Sequence, residues 1–271
     1  MKPRMNIPII LLTGVDTMAN KILVLDAGHG YNTLGKRTKA TLGQVYREWT
    51  LNDKVCDYIT QYLKGYNVTI YRTDDPTGRT DKTLTSRVRR TNEINPDLFI
   101  SIHHNAGGGT GTEVYWHSYG TQEDKKVAGI IAPKLASKTG LRNRGVKQAS
   151  FAVLCCKATA VLVEGGFMDT KADYAVITST KGQQAYAKAI AESVIQYLGL
   201  TKSSSSSNTP SSFKIRVVNC DKLNARKGPG VSYAVADVVK VGTILTIVGE
   251  SGNWYKTKSG LYVSKSYCKR I

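Results

Sequence analysis

Leu98-Phe99-Ile100-Ser101-Ile102-His103-His104 is a short apolar run that ends directly on two imidazoles. It reads as a buried strand that delivers polar side chains at its carboxyl end. The pattern recurs on both sides of it. Ile22–Leu25 runs into Asp26-Ala27-Gly28-His29-Gly30, and Ala160–Val163 runs into Glu164-Gly165-Gly166. Val68–Arg72 and Glu113–His117 are two further strands. Helices fall between them. Leu51, Val55, Ile59 and Leu63 recur every fourth residue and mark an amphipathic helix ending near Gly65. Leu84–Ile94 is a basic helix stopped before Pro96. Lys125–Lys138 is helical, and Gln183–Leu198 carries Ala187, Ile190, Ala191, Val194 and Leu198 on one face. Strands alternating with helices predict an α/β fold, a mostly parallel sheet flanked by helices. Ligands in such folds gather at the carboxyl ends of the strands.

The alternation stops at Thr201–Ser212, TKSSSSSNTPSS, a serine-rich linker that buries nothing. Beyond it, short β-branched runs are broken by turns: Lys214–Val218, Ala234–Val239, Ile244–Val248, Trp254–Thr257 and Leu261–Val263. Gly228-Pro229-Gly230, Gly242, Gly252-Asn253 and Ser259-Gly260 punctuate them. This predicts a small all-β barrel over residues 213–271. The expected organisation is an extension at 1–20, an α/β domain at 21–200, the linker at 201–212 and the barrel at 213–271. Residues 1–20 hold basic residues and then the apolar stretch Ile7–Val15. That stretch is signal-like, but it is short and no A-x-A site follows. Spanning a bilayer takes about 20 apolar residues. A second start lies at Met18, so the extension reads as an upstream start or an added strand.

Charge narrows the partners. With 38 Lys and Arg against 20 Asp and Glu, the 271-residue chain carries +18. Residues 213–271 hold 11 basic and 3 acidic residues, and residues 1–200 hold 26 and 17. The short C-terminal segment is therefore about three times as basic per residue. A surplus of this kind suits an anionic partner such as nucleic acid, anionic lipid or cell wall. No arginine-rich run with interleaved aromatics appears, which argues against nucleic acid. The five cysteines are odd in number and form no CxxC, which argues against a disulfide framework or a structural zinc knuckle. Free thiols are expected; Cys220 and Cys268, both in the barrel segment, are the two that could pair there.

Placed on the strand ends, the polar residues form a constellation. His29, His103, His104 and Glu164 each follow a strand, and Glu48 opens the first long helix. Two histidines and one carboxylate are a familiar zinc ligand set that leaves a fourth position for water. The remaining carboxylate suits a general base. At this level either of the adjacent histidines fits the ligand set, and either carboxylate fits as ligand or base.

Three segments carry a family resemblance. Leu25-Asp26-Ala27-Gly28-His29-Gly30, Ser101-Ile102-His103-His104-Asn105-Ala106 and Leu162-Val163-Glu164-Gly165-Gly166-Phe167 resemble the signatures of the N-acetylmuramoyl-L-alanine amidase family called amidase 3, in family order. The resemblance spans about Lys21 to Leu200. It implies zinc held by His29, Glu48 and His103, with Glu164 as the catalytic carboxylate. It leaves His104 lining the cleft, and Asn105 supporting the site or substrate. Asp169 stands where the family often has Asn. The C-terminal segment resembles a bacterial SH3 domain through Leu223-Asn224-Ala225-Arg226-Lys227-Gly228-Pro229-Gly230, Gly242 and Gly252-Asn253-Trp254-Tyr255. Leu261-Tyr262-Val263 replaces that family's late Gly-Trp. Trp254 and Tyr255 are expected in the core or rim of the barrel, and Tyr233 at its surface.

The function these resemblances imply is peptidoglycan hydrolysis at the amide between N-acetylmuramic acid and the L-alanine of the stem peptide. One zinc ion would activate the water, and the barrel would hold the enzyme on peptidoglycan and its anionic polymers. Hydrolase and wall-binding module without a clear export signal suit a phage endolysin, waiting in the host cytoplasm until lysis. The alternatives are a secreted autolysin or spore-lysis amidase, a zinc peptidase cutting inside the stem, and a wall-binding protein without activity. Neither nucleic acid nor a membrane span is expected.

Overall fold

The apolar runs of the first segment assemble into one six-stranded sheet. In the computed structural model, which describes residues 20–202, 212–231 and 233–271, the strands are β1 (Lys21–Ala27), β2 (Val68–Arg72), β3 (Leu98–Asn105), β4 (Thr112–His117), β5 (Asn143–Ala149) and β6 (Ala160–Phe167). Their order is β2-β1-β3-β6-β4-β5. Every neighbouring pair is parallel except β4 with β6. The sheet is therefore mostly parallel, with β4 and β5 reversed against the other four. The helices are α1 (Glu48–Tyr62), α2 (Leu84–Ile94), α3 (Gln122–Thr139), α4 (Lys171–Ile177) and α5 (Thr180–Leu198).

Alternating side chains feed two cores, because successive strand residues face opposite ways. Leu23, Leu25, Ile100, Ile102, Val161 and Val163 pack on one face against Val55 and Ile59 of α1, Ile131 of α3 and Ile190 of α5. Val24, Phe99, Ala160 and Leu162 pack on the other face against Val153, Leu154 and Ile94. The central strands are buried on both sides, which is why they read as continuous apolar runs.

Three differences from the sequence reading bear on the site. β3 continues to Asn105 and β6 to Phe167, so His103, His104 and Glu164 lie within strands rather than beyond them. Adjacent His103 and His104 must then face opposite sides of the sheet. α3 begins three residues before the expected start, because Thr121 and Asp124 form a capping box at its N-terminus. β5, Asn-Arg-Gly-Val-Lys-Gln-Ala, escaped the periodicity: it is an edge strand with polar residues and a glycine at φ +83°.

The chain divides into two units between Ser203 and Ser204. The second holds β7 (Phe213–Val217), β8 (Lys222–Arg226), β9 (Val235–Lys240), β10 (Ile244–Ser251), β11 (Trp254–Thr257), β12 (Tyr262–Ser264) and β13 (Cys268–Arg270). All its pairings are antiparallel, in the order β13-β7-β10-β11-β12-β8-β9. Ile215, Val217, Leu223, Ala225, Ile247 and Val263 form its core. Tyr255 packs edge-on against Phe213. Trp254 instead lines a groove of about 500 Å³ with Lys222, Arg226 and Tyr267. Tyr233 is half exposed, its ring lying over Gly228, where an added Cβ would stand 2.3 Å from it. The five cysteines are free thiols. Among the described residues no helix is long and apolar enough to cross a membrane. The expected extension and most of the serine-rich linker lie outside the described residues.

Candidate metal centre and hydrolytic cleft

The carboxyl ends of β1, β3 and β6 and the N-terminus of α1 converge at one rim. His29 follows β1 with φ +67°, a left-handed conformation that few residues other than glycine adopt. Glu48 is the first residue of α1, where the helix dipole favours a carboxylate. Its Oε1 lies 3.4 Å from His29 Nε2 and 3.1 Å from His103 Nδ1. One ligand atom from each of the three groups lies within 4.8 Å of the others. Glu48 is 1% exposed, yet its Oε2 has no hydrogen-bond partner, and Lys36 Nζ stands 4.0 Å away. Burial raises the Glu48 pKa, but hydrogen bonds from His103 and His29 outweigh this and hold it well below the usual carboxylate range. For His103, burial opposes the charged form, but the hydrogen bond and charge of Glu48 prevail and raise its pKa.

Glu164 sits beside His103, because β3 and β6 pair in that register. Its Oε2 is buried and unpartnered. Burial is the main cause lifting its pKa to about 7, with the charge of His103 opposing. A carboxyl poised there can take and return a proton near neutral pH. Two adjoining cavities, of about 400 and 210 Å³, share His29, Leu84, His103 and Val153 as walls. The smaller adds Lys36, Phe151, Leu162 and Glu164.

His104 does not line this cleft. Facing the other side of the sheet, it is 3% exposed and lies edge-on to Tyr186 at 5.7 Å. Its Nδ1 is 2.8 Å from Asn52 Oδ1, while Asn52 Nδ2 donates to the Gly28 carbonyl at 3.1 Å. Burial lowers its pKa to about 4, so the ring is neutral and donates from Nδ1. His104 therefore braces the loop that carries His29. Asn105 donates to Glu113 Oε1 at 2.6 Å. Asp169 accepts from the backbone of Gly107 and Gly108 at 2.9 and 3.0 Å, fixing the loop after β3. This is a role for the residue that the motif comparison left without one.

Several residues that shape the site carry no motif. Arg87 of α2 is 2% exposed and donates to Asp26 Oδ1 at 2.7 Å, the Ala27 carbonyl at 2.9 Å and the His29 carbonyl at 2.8 Å. Sequence placed it in an undifferentiated basic helix. Asn52 was hidden in the polar face of α1. Glu113 was legible only as a strand residue. Within the first motif, Gly28 is required for space, since a Cβ there would stand 2.0 Å from His103 Cε1.

Comparison with known proteins identifies the family of the first unit and the domain class of the second. Residues 23–196 match the N-acetylmuramoyl-L-alanine amidase family, and residues 221–269 match the bacterial SH3 domain. The chain belongs to that amidase family, whose activity cleaves the amide between muramic acid and L-alanine in peptidoglycan. The endolysin of Bacillus phage SPP1 is 30% identical, over 90% of this chain and 96% of its own length. The N-acetylmuramoyl-L-alanine amidase of Clostridium difficile 630 is 26% identical, with a TM-score of 0.62 over 67% of this chain and 98% of that one. The catalytic domain of the amidase CwlV from Bacillus (Paenibacillus) polymyxa var. colistinus is 27% identical, with a TM-score of 0.61 over 67% and 99%.

Proposed function

We propose that residues 21–200 form the catalytic domain, that His29, Glu48 and His103 hold one zinc ion, and that Glu164 carries the proton in amide hydrolysis. The observation that carries this reading is the buried carboxylate of Glu48, whose Oε1 faces two imidazoles while its Oε2 has no hydrogen-bond partner. A buried carboxylate oxygen without a partner is costly, and a cation at that point removes the cost. The donor set of two imidazoles and one carboxylate suits zinc and leaves room for water. When bound, zinc supplies Lewis-acid polarisation of the scissile carbonyl and lowers the pKa of water. Glu164 accepts the proton of the attacking water and passes it to the departing L-alanine amine. His104 and Asn52 hold the Gly28 carbonyl, and Arg87 holds that of His29, so the first ligand keeps its unusual backbone angle.

Residues 213–271 form the wall-binding domain, retained on peptidoglycan and its anionic polymers by their positive charge. The linker, 201–212, tethers the catalytic domain at high local concentration. The likeness to a phage endolysin runs through both units, and the reading is an endolysin held in the host cytoplasm until the membrane opens. Digestion of purified peptidoglycan tests it. New L-alanine amino termini with intact glycan strands are expected; new reducing ends, or cuts inside the stem, overturn it. Chelation of divalent metal is expected to abolish release of those termini, and stoichiometric zinc to restore it. Gly28→Ala displaces the His103 ring, so zinc affinity is expected to fall about 10- to 100-fold in a competitive chelator titration. An unchanged affinity would remove His103 from the ligand set.

A further inference from the structure

We propose that Arg144 and Lys147 form a subsite for a carboxylate of the substrate's peptide, about three residues beyond the cleaved amide. The inference rests on the amidase reading above. Strand register lays out the path. His103 lies opposite Glu164, and Glu164 opposite Glu113, so the three side chains form one row on the cleft face. Leu162, Tyr115 and Lys147 form the next row. Phe151, which walls the cleft together with Glu164, meets the Tyr115 ring edge-on at 5.0 Å. Lys147 Nζ stands 5.8 Å from the same ring, and the Arg144 guanidinium 5.0 Å from the Phe167 ring. An aromatic floor thus leads from the proposed proton carrier to two cations.

Glu113 fixes those cations in place. It is 3% exposed and accepts from Asn105 at 2.6 Å, Tyr115 at 2.8 Å, Arg144 Nε at 2.7 Å and Lys147 Nζ. Among the described residues, neither Arg144 nor Lys147 has a second ion-pair partner. One carboxylate against two cations leaves a surplus positive charge. A purely structural brace for Glu113 needs only one of them. Both side chains stay about a third exposed, 29% and 35%, and the register puts Lys147 on the same sheet face as Glu164, so the surplus is open to solvent at the β5 edge of that face. Their donors are pre-oriented, which lowers the entropy lost when a planar anion is bound. Strands lie about 4.8 Å apart, so β5 is roughly 10 Å from Glu164. An extended peptide covers about 3.3–3.6 Å per residue, which puts the recognised group about three residues away.

The test uses the full chain and two soluble muramoyl peptides, identical except that the stem carboxylates beyond L-alanine are free in one and amidated in the other. The free-carboxylate substrate is expected to show a KM about tenfold lower, the scale of one charge-assisted hydrogen bond. Binding made equally in ground and transition states appears in KM rather than kcat. Lys147→Met leaves Glu113 paired with Arg144, Asn105 and Tyr115, so the fold has no unpaired buried charge. In that variant the KM advantage is expected to vanish, while Lys147→Arg keeps it. Equal KM for the two substrates with the native chain, or an undiminished preference in Lys147→Met, overturns the subsite and leaves the amidase reading standing. A native chain that cleaves neither substrate overturns the amidase reading and the subsite with it.

Discussion

Glu164→Gln is expected to slow release of L-alanine amino termini by about 100- to 10,000-fold, the usual range for removing a positioned general base. The substitution is nearly isosteric. It removes a carboxyl whose Oε2 has no partner, so no hydrogen bond of that oxygen is lost. The melting transition of the first unit should therefore hold or rise slightly. Zinc content should also be unchanged, because the contacts that bring His29, Glu48 and His103 together do not involve Glu164. Retention on purified wall, which the proposal assigns to residues 213–271, should not change. The discriminating result is loss of hydrolysis with metal, stability and retention intact. Full lysis by Glu164→Gln would refute the proton-carrier role; lost metal would move Glu164 into the ligand set.

The sequence made the centre of this site readable because its chemistry sits at strand and helix ends. Gly28-His29-Gly30 and Glu164-Gly165-Gly166 interrupt apolar runs, and an interruption is visible in one dimension. The face on which a residue lies is also visible once the strand's extent is known. Ending β3 at Ile102 put both histidines in a loop, free to share a cleft. The strand in fact runs to Asn105, and period-two alternation sends His103 into the cleft and His104 beneath it. The pairs Asp26–Arg87 and Glu113–Arg144 join residues 61 and 31 positions apart. No local periodicity encodes such a partner; the packing of α2 beside β1 makes the first pair and the pairing of β4 with β5 the second. What the sequence hid is thus the support of the site more than its reacting groups. The two kinds of residue should also separate experimentally, since a supporting residue shows itself first in stability.

Arg87→Leu is the variant in which that separation should be largest. Asp26 is 1% exposed, and Arg87 is its cationic partner; Thr73 and Ser101 donate hydroxyls at 2.9 and 2.7 Å. Removing one member of a buried pair leaves a desolvated charge, at a cost of about 3–5 kcal/mol. For a unit of this size each kcal/mol lowers Tm by about 2–4 °C, so calorimetry should find a fall of about 6–20 °C. Asp26→Asn combined with Arg87→Leu removes both charges and should recover part of that loss, a coupling that a double-mutant cycle measures directly. The pair also fixes the sign of the pH dependence. Burial works against ionisation of Asp26, yet Arg87 prevails and its native pKa is lowered. Its contribution is therefore complete above the ordinary Asp pKa of about 3.9 and is lost as pH falls through the lower native value. Native Tm should drop steeply below about pH 4, and the Asp26→Asn/Arg87→Leu chain should lack that component. Because Arg87 also holds the His29 carbonyl, zinc affinity should weaken along with stability, by about 10- to 100-fold. A chain that loses Tm but keeps its zinc affinity would show that the His29 backbone angle is held by Asn52 and the glycines beside it, without help from α2.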